Sequence, residues 1–319
     1  MNSQENDSNI YLELKPCVLC GSNSSRMLYS YPAGHYDHSR YETCSWDGRQ
    51  MIPLSIVQCS QCGLIFSRPS FVLDALDLVY PDDIIDESHF DSALKSPKHN
   101  DMISLARKYF PEGKVLFDIG TRYGALPYHA REKGDQAYGL EFNTVSIELA
   151  KSRGIDYIFQ GTMSDLSTVT QNIGLSSLDI VVMDDVLEHL YNPVMDLEII
   201  SANQKSGDGL IMRQMNWDSL GRRIFRNNWY YIQPAAHMYY FDGKRIEDLL
   251  KKADYKIVKF LYPNQIENMF LTLLLMIRMR LSKLLKPQII QFGSSNKSLY
   301  LTKRRKSWND LFTVVASKR

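Results

Sequence analysis

The chain has 319 residues, with 37 Lys and Arg against 36 Asp and Glu, so its formal charge of +1 gives no general attraction to nucleic acid or anionic lipid, and any such partner needs a local patch. A hydrophobic share of 44% and a charged share of 23% are those of an ordinary globular protein, long enough for one large core and a small accessory module. The polar start MNSQENDSNIYLELK lacks the basic and apolar regions of a targeting signal, and the longest apolar run, MFLTLLLMI at 269–277, is far short of the roughly 20 residues that span a bilayer. A cytoplasmic location is therefore expected.

Four of the five cysteines form two matching units, CVLCG (Cys17, Cys20) and CSQCG (Cys59, Cys62), separated by 38 residues. Two cysteines spaced Cys-x-x-Cys on a tight turn can aim both sulfurs at one ion, and the glycine that follows lets backbone N–H groups approach the thiolates. Two such turns make a closed tetrahedral site with no position left for catalysis, so the pattern reads as a zinc ribbon over 1–80, with Zn2+ in a structural role. Paired disulfides conflict with the absent export signal, and a redox Cys-x-x-Cys needs a thioredoxin-like setting that these residues do not show. Cys44 lies outside both units and reads as an ordinary thiol.

From about residue 113 apolar strands alternate with helical segments. The pattern predicts strands at 114–119, 136–141, 155–159, 178–183, 208–214, 255–261 and 311–317, and helices near 124–133, 143–153, 163–171, 191–204 and 242–253. Such alternation makes an α/β protein with a doubly wound parallel sheet, helices on both faces and ligands at the carboxyl ends of the strands. In FDIGTRYG the first strand turns into a helix between Gly120 and Gly124, and Glu141 ends the second strand 21 residues after Gly120. A carboxylate there can accept hydrogen bonds from both hydroxyls of an adenosine ribose. The spacing departs from the Gly-x-Gly-x-x-Gly of pyrophosphate-binding dehydrogenases, which disfavours NAD.

These residues resemble the class I S-adenosylmethionine-dependent methyltransferases. More closely, they are similar to a bacterial subfamily that carries an N-terminal zinc ribbon and is linked to sugar, surface-polysaccharide or natural-product methylation. The resemblance runs through CSQCGLIFSRP and LVYPDD, FDIGTRYG, YGLEFNTVSIELAKSRG, GTMSDL and LDIVVMDDVLEHLYNP. It continues into the long block MNWDSLGRRIFRNNWYYIQPAAHMYYFDGKRIEDLLKKADYKI. It implies a mostly parallel seven-stranded sheet with the methyltransferase domain over 81–319. Asp118, Gly120 and Gly124 would shape the pocket for the methionine moiety of S-adenosyl-L-methionine, and Glu141 would hold the ribose. Met163, Ser164 and Asp165 would border the adenine, with Asp185 beside the cofactor at the end of the fourth strand. Arg122 stands where such loops usually carry glycine, and its side chain must point outward or pair with the cofactor carboxylate.

Methyl transfer from a sulfonium is an in-line displacement in which positioning carries most of the rate. If the acceptor is a hydroxyl of a sugar or related small metabolite, its proton must also leave, and histidine is the natural general base. Two histidines qualify. His189, in VLEHL, is expected to begin the helix after strand four, and His237, in QPAAHMYYF, lies among Trp229, Tyr230, Tyr231, Tyr239 and Tyr240. Glu188 reads as a helix-end residue or a partner behind the site. An insertion over 263–310 separates the last two strands. Within it the apolar segment 265–286 reads first as a helix packed on the core or on a second copy of the chain, and second as a peripheral helix on anionic lipid at the inner membrane face. Two rival functions remain: an RNA methyltransferase using the ribbon and KRRK at 303–306, which near-zero charge disfavours, and a non-catalytic scaffold with a degenerate cofactor site.

Overall fold

The computed structural model describes residues 12–31, 45–46, 50–51, 54–71, 87–234, 236–262 and 310–319. The insertion 265–286, the basic run 303–306 and Cys44 lie outside them. Its first part is made of short strands: β1 (Leu12–Glu13), β2 (Ser25–Tyr31), β3 (Ser45–Trp46), β4 (Gln50–Met51), β5 (Leu54–Cys59), β6 (Ile65–Ser67) and β7 (Ser70–Phe71). Helices α1 (Glu87–Lys95) and α2 (Lys98–Tyr109), which the sequence pattern did not reveal, lead into the alternating part.

There β8 (Val115–Ile119), β9 (Gln136–Glu141), β10 (Ile158–Gln160), β11 (Ile180–Asp184) and β12 (Gly209–Met215) alternate with α3 (Ala125–Arg131), α4 (Thr144–Ser152), α5 (Leu166–Asn172) and α6 (Pro193–Ala202). The short helix α7 (Leu220–Phe225) and β13 (Tyr239–Tyr240) follow, then α8 (Gly243–Lys252), β14 (Tyr255–Leu261) and β15 (Leu311–Lys318). Every residue of β8 is buried, as a strand covered by helices on both faces requires.

Seven strands form one sheet in the order β10-β9-β8-β11-β12-β15-β14. The first five run parallel, and β15 inserts antiparallel between β12 and β14. The expected doubly wound, mostly parallel seven-stranded sheet is therefore present, a Rossmann-like α/β architecture. The strand order reverses between β8 and β11, which opens a crevice at their carboxyl ends.

Three predicted boundaries move for local reasons. The third strand was expected over 155–159, but Gly154, at φ +82°, turns the chain and the Ile155 N–H bonds back to the Ala150 carbonyl, so pairing starts only at Ile158. The helix expected over 163–171 opens as a 3-10 turn, Met163–Asp165, before α5. The helix expected over 191–204 starts at Pro193 because Asn192 caps it, accepting from the Met195 N–H.

A second sheet has the order β13-β6-β5-β2. Tyr239 and Tyr240, far along the chain, pair antiparallel with Phe66 and Ile65. The apolar core is continuous through this junction: Leu19, Leu64 and Phe66 cluster with Met183, Leu187, Met212 and Tyr239. Among the described residues no helix is long and apolar enough to cross a membrane.

Candidate active site

The turn after β8 is shaped by contacts that leave no room for side chains. At Gly120, φ is +67° and a Cβ would meet Val186 Cγ2 at 2.8 Å; at Gly124, φ is +72° and a Cβ would meet Ile158 Cδ1 at 2.4 Å. Between them Arg122 also takes a left-handed φ of +53°, which costs a non-glycine residue about 1 kcal/mol. Hydrogen bonds around Glu141 offset that cost. The Arg122 N–H donates to Glu141 Oε2 at 2.7 Å, while Glu141 Oε1 accepts from the N–H groups of Phe142 at 3.0 Å and Asn143 at 2.9 Å. One buried carboxylate thus clamps the glycine turn to the end of β9. Burial raises its pKa, and the three N–H donors pull it back.

The Arg122 side chain is exposed and its guanidinium lies 4.9 Å from the ring centroid of Tyr123. Asp118 is buried at the end of β8, and burial pushes its carboxyl up to about 8.

Met163, Ser164 and Asp165 sit on the turn after β10, joined to the clamp by the Gly161 N–H, which donates to the Glu141 carbonyl at 2.9 Å. The Asp165 carboxylate is engaged locally: Oδ2 accepts from the Thr162 N–H at 2.8 Å and its hydroxyl at 3.0 Å. Met163 is buried and Ser164 exposed, so this turn offers an apolar wall with a polar lip.

Asp185 leaves β11 at φ +55°, its N–H donating to the Arg213 carbonyl at 3.1 Å. Beside it is a charged cluster that the sequence reading missed. Arg213 pairs with Asp184 and lies 3.5 Å from Asp185 Oδ2, and Lys98 Nζ lies 3.3 Å from Asp184 Oδ2. Burial opposes the charge on Asp184, but Arg213 and Lys98 prevail and hold it below the ordinary carboxylate range. Asp185 is raised, by burial and then by Asp184. An arginine within the mostly apolar GLIMRQM was the available signal, since a strand buried on both faces rarely carries an unpaired charge.

His189 was expected to begin the helix after the fourth strand; instead it ends a 3-10 turn, Leu187–His189, because Asn192 and Pro193 delay the helix. Its Nδ1 lies 2.9 Å from the Ala236 carbonyl, and His237 Nδ1 lies 2.8 Å from the Tyr231 carbonyl. Carbonyls only accept, so both Nδ1 atoms carry the hydrogen. The rings meet edge to face with centroids 4.8 Å apart. Burial lowers His189 to about 4 and, with help from His189, lowers His237 to about 3, so both are neutral at pH 7. Glu188 is 2% exposed, accepts from Gln214 Nε2 at 2.9 Å, and is pushed up to about 8 by burial and then by Asp185.

The segment bearing His237 is held from two sides. The Met238 N–H donates to the Glu188 carbonyl at 2.8 Å, while Ser67 donates its hydroxyl to the His237 carbonyl at 3.0 Å and its N–H to the Met238 carbonyl at 2.9 Å. Trp229 and Tyr240 pack around Trp217 as core, whereas Tyr230 is 71% exposed. The cofactor turn and the histidine pair connect through Val186, which touches Gly120 and whose carbonyl accepts the His189 N–H at 2.9 Å.

The four cysteines come together as the spacing implies. Cys17 and Cys62 have Sγ atoms 3.5 Å apart, as do Cys20 and Cys59, and all four lie within 4.8 Å of one another without a disulfide. Gly21 and Gly63 turn each knuckle at φ +76° and +78°. Arg245 on α8 donates to the Cys62 carbonyl, with Nε at 3.0 Å, which fastens the knuckle to the larger sheet.

A glycine turn after the first strand, a buried carboxylate ending the second and a crevice at the switch point define an α/β enzyme that takes an adenosine-bearing cofactor. Residues 94–259 match a family model described as a methyltransferase domain, and the chain belongs to that family. It is an S-adenosylmethionine-dependent methyltransferase.

Among solved structures it is similar to a SAM-dependent methyltransferase from Thermotoga maritima, at 15% identity over 73% of this chain and 94% of that one, with a TM-score of 0.47. A SAM-dependent methyltransferase from Archaeoglobus fulgidus gives 18% identity over 69% and 94%, with a TM-score of 0.46. Magnesium protoporphyrin IX methyltransferase from Synechocystis PCC 6803 gives 13% over 77% and 94%, with a TM-score of 0.44. No curated protein matches the chain.

Proposed function

We propose that the protein methylates a hydroxyl of a sugar or related small metabolite, and that the four cysteines hold a structural zinc ion that keeps the acceptor side in place. The observation that carries the cofactor half is the Glu141 clamp: a buried carboxylate beside a glycine turn too tight for any Cβ. Asp118, Gly120 and Gly124 would cradle the methionine end, Glu141 the ribose, Met163, Ser164 and Asp165 the adenine, and Asp185 the near rim. When bound, S-adenosylmethionine supplies a methyl group already activated by its sulfonium.

The chain's own residues then have to position the acceptor, exclude water and take one proton. His237 and His189, neutral and joined to the cofactor turn through Val186, support the acceptor reading. With Nδ1 tied to a carbonyl, Nε2 of His237 is the atom that would receive the hydroxyl proton. The cysteine geometry supports the zinc reading, since four cysteine sulfurs converge as a closed tetrahedral site requires. Such an ion would cross-link the two knuckles and, through β6, steady the His237 segment.

Titration calorimetry with S-adenosylmethionine tests the cofactor half. Micromolar binding is expected, weakened about 100-fold in Glu141→Ala, because three N–H groups lose a charged acceptor and such bonds contribute about 1.5–3 kcal/mol each. Absence of heat in the wild type would return the chain to a non-catalytic scaffold. Single-turnover transfer to a panel of sugars and polyols tests the acceptor half, with His237→Ala expected to lose rate and keep cofactor affinity.

A further inference from the structure

We propose that Glu188, His189 and His237 form a second metal site, one that takes a divalent transition-metal ion of the zinc, iron(II) or cobalt(II) type. The inference rests on the preceding reading for its purpose, since the ion would sit where the acceptor is held to approach. It replaces proton uptake by His237 with a different device.

One donor atom from each of the three residues lies within 4.8 Å of the others. Two imidazoles and one carboxylate are a donor set for borderline divalent metals, and three protein ligands leave positions open for substrate. Ligands about 2.1 Å from a common ion stand roughly 3.0–3.4 Å apart, so closing the site asks for small side-chain rotations.

The arrangement behind the ligands is the stronger argument. Each Nδ1 is committed to a backbone carbonyl, at Ala236 and at Tyr231, which fixes the ring and the tautomer and makes Nε2 the metal-binding nitrogen. Glu188 is in turn oriented by Gln214 Nε2 at 2.9 Å. All three ligands thus have the outer partners that metal-binding residues require. Asp185, three residues before Glu188, adds a further oxygen donor at this end of β11, and its buried Oδ1 has no hydrogen-bond partner.

An ion there would draw an acceptor oxygen into its open positions and ease release of the hydroxyl proton to solvent water, while the oxygen takes the methyl group and the sulfonium leaves as a neutral thioether. The acceptor class follows: a molecule presenting an oxygen donor, such as a hydroxyl, to a hard or borderline cation. Histidines that serve as ligands are not the base, so the two roles are separable by experiment.

The full-length protein, stripped with chelator and reloaded with cobalt(II), tests the proposal. Metal is counted by plasma emission, and absorption distinguishes thiolate charge-transfer bands of the cysteine site from the weaker visible bands of an imidazole and carboxylate site. Wild type is expected to hold one ion more than His237→Ala or Glu188→Gln, with the weaker bands lost and the thiolate bands kept in both variants. Equal metal counts in wild type and both variants, with thiolate bands alone, would overturn the site. Calorimetry with S-adenosylmethionine run on the same samples shows that the variants are folded. Its failure in the wild type would sink the methyltransfer reading while leaving the metal count readable.

Discussion

At the cofactor end the clamp, residues 118–124 and 141, lies within one strand, turn, helix and strand and is organised by a single carboxylate through backbone N–H groups, with Met163–Asp165 and Asp185 added around it from later strands. The acceptor end gathers Glu188 and His189 from one turn, Gln214 from β12, His237 from a distant segment and Ser67 from the cysteine-bearing sheet. The first end is local in sequence and the second is long-range. Local sites are secured by the geometry of one motif, whereas long-range sites depend on the packing of everything between their parts.

The largest effect that separates the two ends should come from the cysteines. Cys59→Ser, or exhaustive chelation, loosens the knuckles, and β6 then loses its fixed place beside Tyr239 and Tyr240. A displacement of about 1 Å at His237 is enough to lower turnover about 100-fold. Cofactor affinity should change less than about threefold, because the Glu141 carboxylate is held by the N–H groups of Arg122, Phe142 and Asn143, which belong to the larger sheet and its turns. Turnover and calorimetry on one sample check this, and parallel loss of both would show that the ends are not separable.

A smaller effect is a dependence of stability on pH at the cofactor end. Burial raises Asp118 to about 8 in the folded chain, against about 3.9 when unfolded. The folded state therefore keeps a proton that the unfolded state has released. Stability from this group is fully present below about pH 4 and is lost as pH rises through about 8, with a slope of up to about 1.4 kcal/mol per pH unit between. Urea unfolding from pH 5 to 7 should contain that contribution, and Asp118→Asn should lower the slope by up to about 1.4 kcal/mol per pH unit, leaving the part that Glu188, raised by burial in the same way, supplies. A slope unchanged by the substitution would assign the titration to the acceptor end alone.

The same division explains what could be read from sequence. Strands 136–141 and 255–261 were placed to the residue, because apolar runs flanked by glycine or charge have one way to pair. The glycine turn and Glu141 were legible because their chemistry depends on spacing along the chain. His189 and His237 were singled out separately, but their contact, and the part played by Glu188, were not. Nothing in local sequence says that residue 237 returns to residue 188, since that is decided by Tyr239 and Tyr240 pairing with Phe66 and Ile65. Lys98 and Arg213 were missed for the same reason: α2 and β12 meet at Asp184 only in the folded sheet.

The smallest predicted effect concerns Arg122, the one residue in the turn that departs from the usual glycine. Its backbone contributes directly, since the N–H reaches Glu141, while the exposed side chain stacks near Tyr123 and its charge also favours the ionised Glu141. Arg122→Gly keeps that N–H and relieves the left-handed φ, which favours the variant by about 1 kcal/mol. It also gives up a cation–π contact worth about 0.5–1 kcal/mol at an exposed position and frees the unfolded chain by a comparable amount. These terms oppose each other, so stability should shift by less than about 1 kcal/mol and cofactor affinity by less than about twofold. Arg122→Pro is the informative counterpart. It removes the N–H and forbids the positive φ, so calorimetry should show a loss approaching that of Glu141→Ala. If glycine weakened binding as much as proline, the side chain would be taking part in cofactor capture, and the cofactor end would no longer be secured by backbone alone.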